Sequence, residues 1–224
     1  MLSGAIGELL PYAAGVALSP IPIVAVVLML DTRRGRANGV AFSVGWIVGL
    51  VAVSVVVLVV TGGSDDSGST TATTVDWVKL LLGGLFHAMA VRQWRGRLTA
   101  GQEAEMPAWM PRVDPFSPVQ SLGLGLALSA ANPKNLALAA AAGAAIAQSG
   151  VDAADDVIAV AVFVVLASVT VVGLVVASLV GGSRVAGFLE GVRTFMAQHN
   201  AVIMMVILIV LGAKLIGSAL PGVA

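Results

Sequence analysis

Six apolar runs, most of them near the roughly 20 residues that a helix needs to cross a bilayer core of about 30 Å, dominate this chain. They fall at residues 9–30, 39–60, 75–91, 121–148, 157–180 and 201–220. Only 11% of the 224 residues are charged and 58% are hydrophobic, whereas a soluble domain carries about a quarter charged residues. The runs are continuous and lack the alternation of barrel strands, so helices are expected. Their valine content is no obstacle, because in lipid the backbone has no alternative hydrogen-bond partner. The expected fold class is an all-α integral membrane protein with six transmembrane helices.

The charges between the runs orient it. Arg33, Arg34 and Arg36 follow the first run, Arg92, Arg95, Arg97 and Arg112 the third, and Arg184 and Arg193 the fifth. The connections after the second and fourth runs hold Asp65, Asp66, Asp152, Asp155 and Asp156 and no arginine or lysine; Lys79 lies just inside the third run. The positive-inside rule makes the arginine side cytoplasmic and puts both termini outside, in a multi-pass protein of the cytoplasmic (inner) membrane. The stretch before the first run carries Glu8 and no positive charge, so the first run reads as a permanent helix rather than a signal peptide. Residues 92–118, with Trp94, Trp109, Pro107, Pro111, Pro115 and Pro118, read as a topogenic cytoplasmic loop with interfacial tryptophans. Their arginines suit anionic membrane lipids. Residues 62–74 read as a flexible polar linker.

The first and fourth runs share a pattern. Gly15-Val16-Ala17-Leu18-Ser19 precedes Pro20-Ile21-Pro22, and Gly125-Leu126-Ala127-Leu128-Ser129 precedes Ala130-Ala131-Asn132-Pro133. Each copy opens a set of three helices, and an odd number per repeat turns the second copy upside down. The plan is therefore two inverted three-helix repeats, 1–91 and 119–224, around the loop 92–118. Paired helix breaks at matching positions mark the binding site in many transporters of this plan. Proline removes a backbone donor, and in lipid the freed carbonyls need protein, water or substrate.

Few ionisable residues lie inside the runs: His87 in the third, Lys134 in the fourth and Lys214 in the sixth. A charge at the bilayer centre costs from about 3 kcal/mol upward, so such groups face a cavity or a partner. Lys134 stands in Asn132-Pro133-Lys134-Asn135, where a break frees carbonyls and two asparagines offer donors and acceptors. It is the first candidate for a substrate-binding or translocation residue, with Ser19, Pro20, Pro22, Ser129, Asn132, Pro133 and Asn135 around it. His87 is read as a packing residue ahead of a proton relay, and Lys214 equally as functional or as snorkelling toward the interface. No carboxylate occupies a run's centre, which favours an anionic or zwitterionic substrate over a metal cation. There are no cysteines. Walker-A, dinucleotide, metal-pair and nucleophile-elbow motifs are missing. No enzyme activity, cofactor, metal or nucleic-acid partner is expected.

Leu18-Ser19-Pro20-Ile21-Pro22-Ile23, Asn132-Pro133-Lys134-Asn135 and Gly212-Ala213-Lys214-Leu215-Ile216-Gly217 resemble the GAP family. These are the sulfolipid and peptidoglycolipid addressing proteins of mycobacteria and other actinobacteria, within the LysE exporter superfamily. Ile21 stands where LysE-type amino-acid exporters usually have glycine, which fits the addressing proteins better. The resemblance covers nearly the whole chain. It implies a six-helix inner-membrane protein that takes part in exporting a cell-envelope glycolipid, as a homodimer or with larger lipid-export machinery. It also implies that Pro20, Pro22, Asn132, Pro133 and Lys134 are core-site positions. The leading expectation is a small secondary transporter of an anionic or amphipathic envelope lipid or related small molecule. Two readings compete with it: a LysE-like exporter of amino acids or other small polar solutes, and a non-transporting scaffold for lipid-synthesis machinery.

Reporter fusions at Asp65 and Asp152 test the orientation. Both are expected to report the outside, and a cytoplasmic signal at either would overturn it.

Overall fold

The computed structural model describes residues 2–62, 69–97 and 116–220, and the regular structure among them is helical. Eight α-helices are described: α1 (Leu2–Ala17), α2 (Pro20–Leu30), α3 (Gly35–Gly62), α4 (Ser69–Arg95), α5 (Pro118–Leu126), α6 (Pro133–Gln148), α7 (Ala153–Gly181) and α8 (Ala186–Ala219). A π-helical turn, Ala127–Ala131, joins α5 to the break before α6, and a 3-10 turn, Gly182–Val185, leads into α8. Asp65, Asp66, Pro107, Trp109, Pro111, Arg112 and Pro115, on which the linker and loop readings rest, lie outside the described residues.

Three helices, α3, α7 and α8, are long and apolar enough to cross a membrane, and α1 with α2 makes a fourth if the bent pair is one span. The chain is therefore a multi-pass membrane protein. The run at 9–30 begins earlier, at Leu2, and is two helices that meet at 52°. The run at 121–148 is likewise two shorter helices. The run at 75–91 is helical as α4, whose apolarity is diluted by Lys79, His87 and the pair Gly83-Gly84. Several residues expected in connections are helical, because charge marks the edge of lipid and not the end of a helix: residues 69–74 of the expected linker open α4, Arg36 lies in the first turn of α3, and Arg92, Trp94 and Arg95 of the expected loop 92–118 lie in the last turns of α4. Arg193, expected in a connection, lies on α8 and pairs with Glu190 at 2.8 Å, three residues apart on one helix face. At 1.5 Å per residue α8 runs about 50 Å, longer than the bilayer core, so its charged first turns need not enter lipid.

The described chain divides into two compact units, residues 1–62 with 105–197, and residues 63–104 with 198–224. In the first unit α3 packs on α5 and α6, α1 on α6 and α7, and α2 on α3 and α7. Helix α1 buries Ala5, Leu9, Tyr12, Ala13 and Val16 along one face, the 3.6-residue pattern of a one-sided helix. Helix α2 is buried nearly all round, from Ile23 to Val27 and at Met29. Helix α3 turns Phe42, Trp46 and Leu50 inward, all fully buried, while Val44, Val48, Val51, Val55 and Val59 are exposed on another face. Helix α7 repeats this with Phe163, Ala167 and Val171 inside and Val165, Val169 and Val176 outside. Valine on an outer face at helical spacing is what a lipid solvent selects, since it gains nothing from polar cover.

Glycines set how closely α3 approaches its neighbours. A Cβ at Gly45 would overlap the Leu122 carbonyl, one at Gly125 the Phe42 carbonyl, and one at Gly49 the Ser129 hydroxyl. At Gly143 it would stand 2.5 Å from the Ser54 carbonyl. The obstructing atoms at Gly45, Gly125 and Gly143 are backbone and cannot swing aside. Small residues at such crossings are how membrane helices pack without a hydrophobic driving force between them. Gly45→Val and Gly125→Val are each expected to destabilise the protein by about 1–3 kcal/mol or more. Gly123→Val and Gly173→Val, with open space at the Cβ, should do far less. Thermal unfolding in detergent checks this, and equal melting of the two classes would contradict the packing.

Candidate functional site

Both proline breaks leave carbonyls without their helical donors, and side chains serve three of the carbonyls around them, Gly15, Ala17 and Leu128. Pro20 and Pro22 withdraw the N–H groups that would reach Val16 and Leu18 four residues back. Leu18 still donates to the Ala14 carbonyl at 2.9 Å, but the Ser19 N–H turns to Val16 at 3.1 Å. The Gly15 carbonyl thereby loses its partner, and Lys134 Nζ donates to it at 2.7 Å. The Ala17 carbonyl accepts a hydrogen bond of 2.6 Å from the Thr170 hydroxyl on α7. Helix α2 then restarts with Pro20 in its first turn, the helical position where a missing N–H costs least.

The second break is closed from within its own segment. Pro133 offers no N–H to Ser129. The Asn132 N–H reaches five residues back to Ala127 at 3.0 Å, which makes the last turn π-helical. Leu128 is bypassed, and Asn135 Nδ2 donates to its carbonyl at 2.9 Å. Asn132 is extended and its side chain caps α6, accepting the Lys134 N–H at 3.1 Å. The Ser129 hydroxyl lies 3.0 Å from the carbonyls of both Gly125 and Leu126.

The structure thus joins most of the residues that the sequence singles out. Pro20, Pro22 and Ser19 form the first break, and Ser129, Asn132, Pro133 and Asn135 the second. Lys134 bridges them across 119 residues of sequence. Lys134 is 4% exposed and Asn135 fully buried. Among the described residues Lys134 has no carboxylate partner, and Asn135 Oδ1 and the Ser168 hydroxyl are buried with no hydrogen-bond partner. The Lys134 amine, held by one neutral carbonyl, keeps N–H donors that can reach an anionic oxygen, whereas the unpartnered Asn135 Oδ1 can only accept. No group of three or more His, Cys, Asp or Glu side chains able to hold a metal occurs among the described residues.

His87 and Lys214 belong to the second unit. His87 Nδ1 lies 2.9 Å from the Gly83 carbonyl, one turn back on α4. A Cβ at Gly212 would stand 2.5 Å from the same nitrogen. Those contacts are intrahelical bonding and close packing of α4 on α8. Lys214 is half-buried near the end of α8.

Sequence reasoning missed Thr170 and Gly15. The available signal was the polar pair Ser168 and Thr170 in an otherwise apolar run. Gly15 acts through its backbone, which composition does not reveal. Thr170→Val, close in shape, is expected to cost about 1–3 kcal/mol because it leaves the Ala17 carbonyl buried and unpaired. Lys134→Met should cost a similar amount through Gly15. Unfolding in detergent measures both, and wild-type stability of Thr170→Val would show that the carbonyl finds another donor.

No curated protein and no solved structure matches the chain. The family model described as Sap, sulfolipid-1-addressing protein, matches residues 9–220, almost the whole length. With its proline breaks described and that match in place, the chain belongs to the sulfolipid-1-addressing protein family.

Proposed function

We propose that this protein is a small secondary transporter of the cytoplasmic membrane that takes part in exporting an anionic, amphipathic envelope glycolipid. The observation that carries the reading is the Lys134 ammonium, buried without a carboxylate and bonded to the Gly15 carbonyl that the first break frees. The family description, which names a sulfolipid, agrees in charge. A sulfate or carboxylate arriving at Lys134 offers a stronger, charge-assisted partner than a carbonyl. Lys134 then releases Gly15, and the first break loses one of the two side-chain bonds that hold its bend. Cargo recognition and helix movement are in this way one event, which is what alternating access requires. The two breaks, at corresponding places in the chain, support the inverted-repeat plan of the LysE superfamily, with six spans in all.

The test is complementation of a deletion strain, with extractable surface glycolipids compared between wild type, Lys134→Ala and Lys134→Arg. Wild type should restore the missing surface lipid. Lys134→Ala should lower export by at least about tenfold, the cost of losing a buried charged partner, while the protein stays in the membrane. Full restoration by Lys134→Ala would sink the site and favour a scaffold. An unchanged lipid surface with a polar solute accumulating inside would favour a solute exporter.

A further inference from the structure

A second basic feature lies apart from Lys134, within the first unit. A cavity of about 870 Å³ opens where the turn between α2 and α3 faces the end of α7 and the start of α8. Its size is that of a pocket for a small molecule or a lipid headgroup. Arg33, Arg34, Arg36 and Arg193 line it, against two carboxylates, Asp31 and Glu190. Glu190 is already paired with Arg193 at 2.8 Å. Among the described residues Arg33, Arg34 and Arg36 have no acidic partner. The cavity therefore carries an excess of two positive charges, four arginines less two carboxylates.

The turn that presents these arginines is built and fixed. Gly35 sits against the Leu30 carbonyl so closely that a Cβ would overlap it. The Thr32 hydroxyl donates to Met29 at 2.8 Å. The fully buried Asn38 donates from Nδ2 to the Phe116 carbonyl at 2.9 Å. The first turn of α3 opens on the cavity at Arg36 and Ala37, and a helix start adds partial positive charge. The other wall is apolar, with Val27, Leu30 and Leu189. Gly187 also lines it, and a Cβ there would meet open space.

We infer that this cavity binds the phosphate or sulfate headgroup of an anionic lipid from the cytoplasmic leaflet, with an acyl chain along the apolar wall. A free anion would need the arginines and not that wall, and basic pockets on the cytoplasmic side of membrane proteins suit lipid headgroups. The inference rests on the membrane orientation and deepens the proposed function by naming a cytoplasmic-side site for the headgroup. Its test reads binding alone, so its failure and a failure of export at Lys134 are distinguishable.

The experiment measures binding of short-chain phosphatidylglycerol to the purified full chain in nanodiscs of phosphatidylcholine, with inorganic phosphate as competitor. Arg33→Gln with Arg36→Gln should weaken binding about 25-fold, from roughly fivefold per arginine near an anionic group. Gly187→Leu, which fills the apolar side and keeps every charge, should weaken it as well. Lys79→Gln, a basic residue of α4 outside the cavity, should leave it unchanged. Equal loss in the Lys79 variant would show that any basic residue serves and would overturn the site. So would unaltered binding in Gly187→Leu, or no preference over phosphatidylcholine. Displacement by inorganic phosphate at equal concentration would make it a site for a soluble anion and overturn the lipid assignment.

Discussion

In a bilayer a backbone carbonyl that loses its helical donor has no water to turn to, and this constraint organises the first unit. Prolines at 20, 22 and 133 interrupt two helices. Each interruption strands carbonyls that must find another donor at a cost of several kcal/mol if they fail. Asn135 serves Leu128 within its own segment. Gly15 and Ala17 are served from outside it, by Lys134 and Thr170. The first break is therefore held open by side chains of α6 and α7, and whatever competes for Lys134 acts on the bend.

Close helix packing makes this arrangement fit. The π turn that bypasses Leu128 lies against α3, where Gly49 leaves room for the Ser129 hydroxyl, and Gly45 and Gly125 bring α3 and α5 into backbone contact. The buried Phe42 and Trp46 rings stack, with centroids 6.4 Å apart, on the same helix. On the other side α2 is wrapped in apolar contacts almost completely. Helix α2, buried this fully, lies between the break that Lys134 bonds at Gly15 and the arginine-bearing turn at its other end.

Much of this was legible in the residues, and the rest was not for identifiable reasons. The apolar runs gave the membrane class because bilayer thickness fixes a length. Pro20, Pro22 and Pro133 located both breaks because a missing donor is a property of proline itself. Asn132-Pro133-Lys134-Asn135 pointed to the site because intramembrane charge is costly. What Lys134 bonds to was not readable, since Gly15 contributes only a carbonyl and lies far away in sequence. Arg193 was misplaced into a connection because charge marks the edge of lipid, not the end of a helix. The basic cavity was read as topogenic charge alone, because convergence of Arg33, Arg34, Arg36 and Arg193 depends on how α8 returns to the α2–α3 turn.

One bond links the two breaks, from Lys134 Nζ to the Gly15 carbonyl at 2.7 Å. Solid-state NMR in bilayers can observe it directly, with 15N on lysine Nζ and 13C on glycine carbonyls. Lys79, Lys134 and Lys214 are the chain's lysines, so Lys134→Arg assigns the signal by its disappearance. A strong dipolar coupling between the Lys134 nitrogen and one glycine carbonyl, weakened when an anionic lipid is added, is the predicted result. A Lys134 nitrogen with no nearby glycine carbonyl in the lipid-free state would contradict the link between the two breaks.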